Sequence, residues 1–480
     1  MMRSRYNKWG LLMMGALLCP TILNAQVRVS PLPEKSGIEL MTDYEVTVTS
    51  DVTGETFSVP TLRADVDLKK VQKASLALME MEGGATVRVR MTADTVSTFM
   101  VRPQSKGISA RKIDSRSIEF HMSKPEYLSV EFNGDRKHNL HLLCDSLLRE
   151  TYSGDEPRAI NWTGQSAQDV FVKDASLIYF GPGVHQAKDL PAADIRIPSN
   201  CTVYLAPGSV VKARLVVDHA ENVRIVGRGI ISHPLRGVEV THSKNVLIDG
   251  VTVLNPQHYT VFGGQSSGIT IRHLKSFSCK PWSDGIDLMS CRKVLIEDIF
   301  LRTSDDCLAF YNHRWWYWGD SEDFRVRRAT LWADVAHPVN IATHGDDRSD
   351  RGETLSRVDI ADCDILNSCA DAVLKVAAGD KNWVRDIAIS DIRIEDIEKG
   401  TLFSLSVIFS GKYNRAPGNE IRGVRFANIS YIGTVDMADG VGTGLATPII
   451  KDFDESRCVR DLRFDNISIG GKKVGIDGRP

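Results

Sequence analysis

The chain has 480 residues, of which 42% are hydrophobic and 25% charged, and its formal net charge is -2. This length and composition allow two domains with ordinary hydrophobic cores. The sequence has neither the basic stripe of a nucleic-acid-binding protein nor the charge block of a disordered tail, so we expect no nucleic-acid partner.

The first 25 residues have the pattern of a secretory signal peptide. Three basic residues precede the apolar run 11–18, and the small residue Ala25 ends the segment. The run is too short to span a bilayer, and no later stretch reaches the ~20 apolar residues that spanning requires. We therefore expect an exported protein, periplasmic or secreted, without a transmembrane segment. Cys19 suggests a lipid anchor, but the bulky Leu18 before it argues against one.

Residues 26–160 are predicted to form an N-terminal antiparallel β-sandwich. The runs 85–91, 117–122 and 128–132 alternate apolar and polar residues, as strands with one buried face do. An Asn-Gly pair directly after the last run predicts a hairpin turn. Carbohydrate binding is one role for this domain. Capping the first coil of the following domain against edge pairing is the simpler one.

From about Leu177 onward the sequence repeats a short phrase, in which polar residues precede alternating β-branched positions. The intervals between successive anchors are 23, 23 and 25 residues, and the anchors are Val223, Val246, Ile269 and Val294. A fixed period of this length with alternating apolar strands is typical of a parallel β-solenoid. The sequence therefore predicts an all-β fold in which residues 161–480 form a right-handed parallel β-helix.

Three aspartates recur about one coil apart. Asp284 lies in the segment 282–287, and the pair Asp305 and Asp306 begins 21 residues later. Stacked coils would hold the three carboxylates close together, and like charges raise one another's pKa. Glycoside hydrolysis needs one protonated and one ionised carboxyl at the scissile bond. The sequence therefore predicts a glycan hydrolase, provided that the backbone bends between the two adjacent aspartates.

The aspartate segments resemble those of a known family. Residues 283–287 (S-D-G-I-D) and 304–307 (S-D-D-C) are similar to the N-T-D-G and G-D-D-C motifs of the polygalacturonases, glycoside hydrolase family 28. That family shares its fold and its aspartate triad with the dextranases. Residues 334–341 fall where the family has G-H-G, and residues 373–375 where it has R-I-K. The resemblance covers roughly residues 175–470.

The resemblance implies a mechanism. Asp305 would be the general acid, Asp284 and Asp306 would activate the attacking water, and His337 would hold the catalytic carboxylates. Inversion of the anomeric centre would follow, with carboxyl groups about 6.5 to 9.5 Å apart. The role of Asp287 is open between catalytic support and a purely structural one. No cofactor or metal is implied, and the expected partner is a polysaccharide or oligosaccharide substrate with an α-linkage.

Lys375 matches the last residue of the family's R-I-K segment and is therefore a candidate substrate contact, able to bind a carboxylate, a sulfate or a hydroxyl. Val373 stands where the family has its arginine, so the bidentate fork for a uronate carboxylate is missing. His344 and Trp282 are further candidate substrate contacts. The sequence does not identify the sugar, the exo or endo mode of action, or the oligomeric state.

Four consecutive aromatic residues follow the aspartate pair, at positions 315–318. Trp315 and Trp316 are candidates for stacking on sugar rings. The alternative is that the cluster plugs the solenoid against a neighbouring loop. The acidic loop 346–350 is either a solvated turn or a calcium ligand.

Two other functions fit a solenoid. A polysaccharide lyase would need a strong base, commonly Arg or Lys, with calcium. A non-catalytic glycan-binding solenoid would need groove residues but no carboxylate triad. The cysteines after the signal segment lie mostly in apolar runs, which favours buried free thiols, although a disulfide between Cys279 and Cys291 is possible.

Overall fold

The computed structural model describes residues 27–163, 175–186, 193–433 and 448–479, and the predicted signal peptide lies outside these ranges. The described residues form β-strands and turns, with two short 3-10 segments, η1 (Leu68–Lys70) and η2 (Gln104–Lys106). Within them no helix is long and apolar enough to cross a membrane.

The N-terminal part consists of two sheets. The strands of the first sheet are β1 (Val27–Arg28), β4 (Thr61–Val66), β5 (Gln72–Met81), β7 (Phe99–Arg102), β10 (Tyr127–Phe132) and β11 (Asp135–Ser146). The strands of the second sheet are β2 (Tyr44–Ser50), β3 (Thr56–Val59), β6 (Ala85–Met91), β8 (Ala110–Lys112) and β9 (Ser117–Met122). Their buried faces meet in one apolar cluster, which includes Val87, Phe120 and Leu140.

The predicted sandwich strands are confirmed: 85–91 is β6, 117–122 is β9 and 128–132 lies in β10. The predicted Asn-Gly turn joins β10 to β11, and Asn133 has the left-handed φ of 54° that such turns need. All strand pairs of the two sheets are antiparallel except β5 with β11, which is parallel.

The rest of the described chain is a parallel β-helix with three columns of strands. The first column contains β13 (Leu177–Phe180), β16 (Thr202–Leu205), β19 (Glu221–Gly227), β22 (Lys244–Asp249), β25 (Ser267–Arg272), β28 (Arg292–Glu297), β31 (Ser321–Arg327), β34 (Thr354–Asn367), β36 (Trp383–Ile394), β38 (Glu420–Tyr431) and β40 (Val459–Ile469). It begins at β12 (Ala159–Asn161) and ends at the antiparallel β41 (Lys472–Val474).

The second and third columns follow in each coil. The second contains β14 (Gly183–His185), β17 (Ser209–Val211), β20 (Ile230–Ser232), β23 (Thr252–Leu254), β26 (Lys275–Phe277), β29 (Phe300–Thr303) and β32 (Thr330–Ala333). The third contains β15 (Ala193–Arg196), β18 (Ala213–Asp218), β21 (Val238–Thr241), β24 (Val261–Gly264), β27 (Ile286–Met289), β30 (Leu308–Tyr311), β33 (Val339–Ile341), β35 (Cys369–Ala378), β37 (Lys399–Val407) and β39 (Ile449–Lys451).

The predicted period is confirmed residue by residue. Val223, Val246, Ile269 and Val294 are successive Cα partners in the first column. The chain turns at the start of these strands, where the second residues of β19 and β22, Asn222 and Asn245, are left-handed with φ of 57° and 55°. The side chain of Asn245 donates a hydrogen bond to Asn222 at 2.7 Å, so the turns are stacked as well as the strands.

The sandwich packs against the second column. Leu76 and Leu143 of the sandwich belong to one buried cluster with Phe277, Phe300 and Trp332 of the β-helix. The predicted domain boundary at residue 160 falls within β12, which pairs with β13 of the β-helix and not with the sandwich.

A buried ion pair lies in this interface. The Arg302 side chain has no exposed surface, and its guanidinium donates to both carboxylate oxygens of Asp334 at 3.2 Å. It also donates to Asn139 of the sandwich at 2.9 Å and lies 4.0 Å above the Trp332 ring. Burial alone would raise the pKa of Asp334, but Arg302 and Lys137 hold it below its ordinary value.

The same interface reaches the loops that carry the aspartates. The Leu68 backbone N–H donates to Ser304 Oγ at 3.1 Å, directly before Asp305. The Asp67 N–H donates to Asp334 at 3.1 Å, three residues before His337. The sandwich therefore contacts two of the segments that form the candidate site.

Replacing Arg302 with Met is expected to lower the free energy of unfolding by about 3–5 kcal/mol, because Asp334 would stay buried without its main cationic partner. Chemical denaturation measures this loss. Arg149 is the matched control, since its side chain is 78% exposed and pairs with Glu82 at the surface. Arg149→Met should cost less than about 1 kcal/mol, and equal losses in the two variants would contradict the interpretation.

Candidate active site

The predicted motif segments stack as neighbouring coils where the second column leads into the third. The Thr260 N–H donates to the Asp284 carbonyl at 2.9 Å, and the Gly285 N–H donates to the Asp306 carbonyl at 2.8 Å. The Cys307 N–H then donates to the His337 carbonyl at 2.8 Å. These bonds place the aspartate segments and the histidine segment on consecutive coils, as their spacing predicts.

Gly285 is required by this close stacking. A Cβ at this position would lie 2.3 Å from the carbonyl oxygen of Cys307 on the next coil. Any larger residue would push the Asp284 coil away from the Asp306 coil.

The predicted bend between the adjacent aspartates is present. Residues 304–306 are a non-strand segment between β29 and β30, so Asp305 and Asp306 both reach the site. Thr303 Oγ1 donates to the Asp305 carbonyl and helps to hold the bend.

The three predicted carboxylates converge. Asp284, Asp305 and Asp306 each present one oxygen atom within 4.8 Å of the others. Asp284 and Asp306 are 5% exposed, while Asp305 is more open. The nearest oxygen atoms are thus closer than the about 6.5 to 9.5 Å that separates the carboxyl groups of an inverting pair.

Asp306 is held in its ionised form. Its Oδ1 accepts hydrogen bonds from the His337 N–H at 2.9 Å and from His337 Nδ1 at 2.7 Å, and its Oδ2 accepts from Asn340 Nδ2 at 2.6 Å. Burial opposes ionisation, but the His337 charge and these donors hold the pKa of Asp306 below its ordinary value.

Asp305 has the opposite tendency. Burial, followed by the neighbouring charge of Asp306, raises the pKa of Asp305 to about 6. Among the described residues its carboxylate accepts from two backbone N–H groups, Trp282 at 3.2 Å and Asp306 at 3.1 Å. Two adjacent residues therefore carry one carboxyl that favours its proton and one that does not.

Asp284 and Asp287 form a second, deeper carboxyl pair. Burial, followed by the neighbouring charge of Asp287, raises the pKa of Asp284 well above its ordinary value. Burial raises the pKa of Asp287 in the same way. Arg314 opposes both shifts, and its own Nε is buried without a hydrogen-bond partner among the described residues. No motif in the sequence contains Arg314.

His337 connects the triad to two further side chains. Its Nε2 contacts the Asp371 carboxylate in a short hydrogen bond, and Lys375 Nζ lies 3.3 Å from the same Nε2. Burial lowers the pKa of His337, but Asp306 and then Asp371 outweigh burial and raise it to about 9. The imidazole is therefore a cation held between two carboxylates.

The other predicted polar contacts lie deeper. His344 Nε2 accepts from Arg314, and its ring meets Tyr311 edge to face at a centroid distance of 4.9 Å. Burial and the Arg314 charge lower the pKa of His344 to about 3, so it is neutral. His344 therefore positions Arg314. Val373, at the position of the family's arginine, is buried in the core with no exposed surface.

Some side chains of the aromatic run pack against the solenoid, and others are exposed. Tyr317 is buried at 7% exposure, and Trp315 stacks on Tyr259 with a centroid distance of 5.9 Å and an interplanar angle of 15°. Trp316 is 68% exposed, and Trp282, beside Asp305, is 64% exposed. Tyr317 and Trp315 thus pack against the solenoid, while Trp316 and Trp282 are exposed.

A mixed cluster of possible metal ligands lies beside the aromatic run. His313, Asp346 and Glu353 each offer one ligand atom within 4.8 Å of the others. Glu353 also accepts the backbone N–H groups of Gly319 and Asp346, and burial raises its pKa to about 7. These bonds join the loop of residues 312–320 to the acidic loop 346–350.

The cysteines form no disulfide in the described part of the chain. All eight are free and seven are buried, among them Cys279 and Cys291. The possible disulfide between these two is therefore not formed, and the preferred prediction of buried thiols is confirmed.

Three site residues were missed at the sequence level. Asn340 and Lys375 are Cα partners in the third column, so the Lys375 motif position would have led to Asn340. Arg314 and Asp371 carry no motif. Only their positions, one beside the aromatic run and one four residues before Lys375, give a signal.

Known proteins resemble this chain in sequence. The model of "Glycosyl hydrolases family 28" matches residues 198–474. A probable polygalacturonase of Arabidopsis thaliana is 23% identical over 242 residues, which cover 48% of each chain. A probable endopolygalacturonase of Neosartorya fischeri is 22% identical over 264 residues, 54% of this chain and 48% of the relative. The chain thus spans about half the length of these curated relatives.

Two solved structures have a similar fold. Dex49A from Penicillium minioluteum has a TM-score of 0.63 at 15% identity, covering 93% of this chain and 92% of the other. A family 28 exopolygalacturonase of Yersinia enterocolitica has a TM-score of 0.50 at 10% identity, covering 81% and 90%. Since the family model matches more than half of the residues, the chain belongs to glycosyl hydrolases family 28.

Proposed function

We propose that the protein hydrolyses glycosidic bonds of a polysaccharide or oligosaccharide, with Asp305 as general acid and Asp306 as the principal base. The observation that carries this proposal is the opposite protonation tendency of these adjacent carboxyls. Glycoside hydrolysis uses one carboxyl to protonate the leaving oxygen and another to activate water. The polygalacturonase names of the relatives support the same reaction class.

Asp305 is suited to donate the proton. It is the most open of the three carboxylates, and its pKa of about 6 keeps a large protonated fraction in mildly acidic solution. A general acid works best when its pKa lies near the working pH. The backbone N–H of Trp282 donates to Asp305, and the exposed indole of the same residue offers an apolar face to a sugar ring.

Asp306 is suited to accept a proton from water. Asn340 and His337 occupy three hydrogen-bonding positions on its oxygens, which fixes the orientation of the carboxylate. Asp284 offers an oxygen within 4.8 Å and carries a raised pKa. We assign to Asp284 the second hydrogen bond to the attacking water, with Arg314 offsetting the charge of Asp284 and Asp287.

The substrate contacts belong to the same proposal. Trp282 and Trp316 present exposed indole faces, and Lys375 lies next to His337. Trp315 and His344 contact other residues of the site. Trp315 stacks on Tyr259, and His344 accepts a hydrogen bond from Arg314. The proposed substrate is an α-linked glycan. The proposed role of the N-terminal segment is to direct export of the protein.

Replacing Asp305 with Asn should reduce turnover about 100-fold or more, because the amide keeps the shape of the carboxyl but cannot deliver the proton. Reducing-end release from a panel of pectic and dextran-type glycans measures this. Asp350→Asn, an exposed site with the same charge change, is the control and should retain activity. Full activity of a folded Asp305→Asn protein would remove Asp305 from the mechanism, and an ultraviolet-absorbing product would identify a lyase instead.

The pH profile of kcat/KM should be bell-shaped. Activity is expected to fall as the pH rises through about 6, because Asp305 then loses its catalytic proton. It falls at low pH only below the ordinary aspartate range, since the pKa of Asp306 is depressed. His337→Asn should move this acidic limb upward by about 1–3 units by removing the cation beside Asp306. An unmoved acidic limb would show that His337 does not set the charge of Asp306.

The product anomer is expected to be inverted, with Asp284 and Asp306 holding the water together. The short spacing of the nearest carboxylate oxygens is instead the geometry typical of retention through a covalent intermediate. Proton NMR of the first product, recorded before mutarotation, distinguishes the two. A retained anomer would make one of the buried aspartates a nucleophile.

A further inference from the structure

The carboxylate of Asp371 lies at the edge of the site and is more exposed than its neighbours. Its side chain is 53% exposed, compared with 13% for His337 and 7% for Asp306. A substrate that reaches the His337 side of the triad therefore meets Asp371 before it meets the buried aspartates.

Asp371 engages both cations on this side of the site. Lys375 Nζ lies 3.3 Å from each of its carboxylate oxygens, and His337 Nε2 contacts Oδ1. Lys375 is 22% exposed, so its ammonium group is partly covered while it is paired. Val373, in the strand between them, is buried and adds no charge.

This arrangement selects against a charged sugar. A uronate carboxylate approaching Lys375 would lie next to the Asp371 carboxylate, and like charges that close repel. A ring hydroxyl can instead donate to Asp371 and accept from Lys375, so an uncharged sugar satisfies both groups without displacing either. An unfavourable contact with the wrong ligand is a common source of specificity.

We propose that Asp371 is a specificity-determining residue, and that through its pairing with Lys375 it makes the subsite beside His337 select an uncharged sugar over a uronate. The proposal rests on the proposed function, since it names the substrate class of the same site. It assigns no part in proton transfer to Asp371.

Binding of two probes that share one sugar backbone, one charged and one neutral, tests the proposal. The probes are trigalacturonate and its fully methyl-esterified form, titrated by NMR or calorimetry into the full-length protein carrying Asp305→Asn. We expect the ester to bind more tightly. Adding Asp371→Asn should shift the affinity ratio toward trigalacturonate by about tenfold, because Lys375 is then free to pair with the ligand carboxylate. Asp371→Glu retains the charge and should leave the preference for the ester in place.

Several results would overturn the proposal. They are tighter binding of trigalacturonate before Asp371 is changed, a ratio that Asp371→Asn leaves unmoved, or no binding of either probe to any variant. Hydrolysis by the wild-type protein is measured separately. Absence of hydrolysis with the expected binding ratios would reject the proposed catalytic function and leave the specificity of the subsite standing.

Discussion

Backbone hydrogen bonds between successive coils set the distances in the site, because neighbouring strands of a sheet lie about 4.8 Å apart. Residues 21 positions apart in sequence thereby become contacts, and the Asp284, Asp306 and His337 segments occupy three consecutive coils. Gly285 permits this approach, since a Cβ there would meet the Cys307 carbonyl. The carboxylates are held together by the ladder, against their own repulsion.

The carboxylates differ in pKa because each has different surroundings. Asp306 is surrounded by donors and a cation, Asp305 accepts two backbone N–H groups, and Asp284 faces Asp287 at depth. The cations are distributed in the same way, with His337 beside Asp306 and Arg314 beside the deeper pair. Environment, more than residue type, separates an acid from a base among identical side chains.

The sequence predicted the parts of the molecule that follow a local rule. The anchors Val223 to Val294 repeat because each coil must bury an inward residue on the previous one, and the sandwich runs alternate because one face is buried. Asp371 and Arg314 follow no such rule. Arg314 lies in the loop between β30 and β31, and Asp371 lies in β35 where its register with β37 shifts between Cys369 and Ala372. The spacing of one coil predicts neither position.

The sandwich contacts the β-helix along several coils. The cluster that it shares with the β-helix includes Val210 and Ile230 of earlier coils, and the ion pair of Arg302 and Asp334 lies in the coils that carry the site. Asp67 and Leu68 donate backbone N–H groups to Asp334 and Ser304, which lie in the segments leading to His337 and Asp305. Hydrogen bonds from the sandwich thus hold one end of each of these two segments. Since catalytic carboxylates must be placed to within a fraction of an ångström, we regard the sandwich as part of the scaffold of the site.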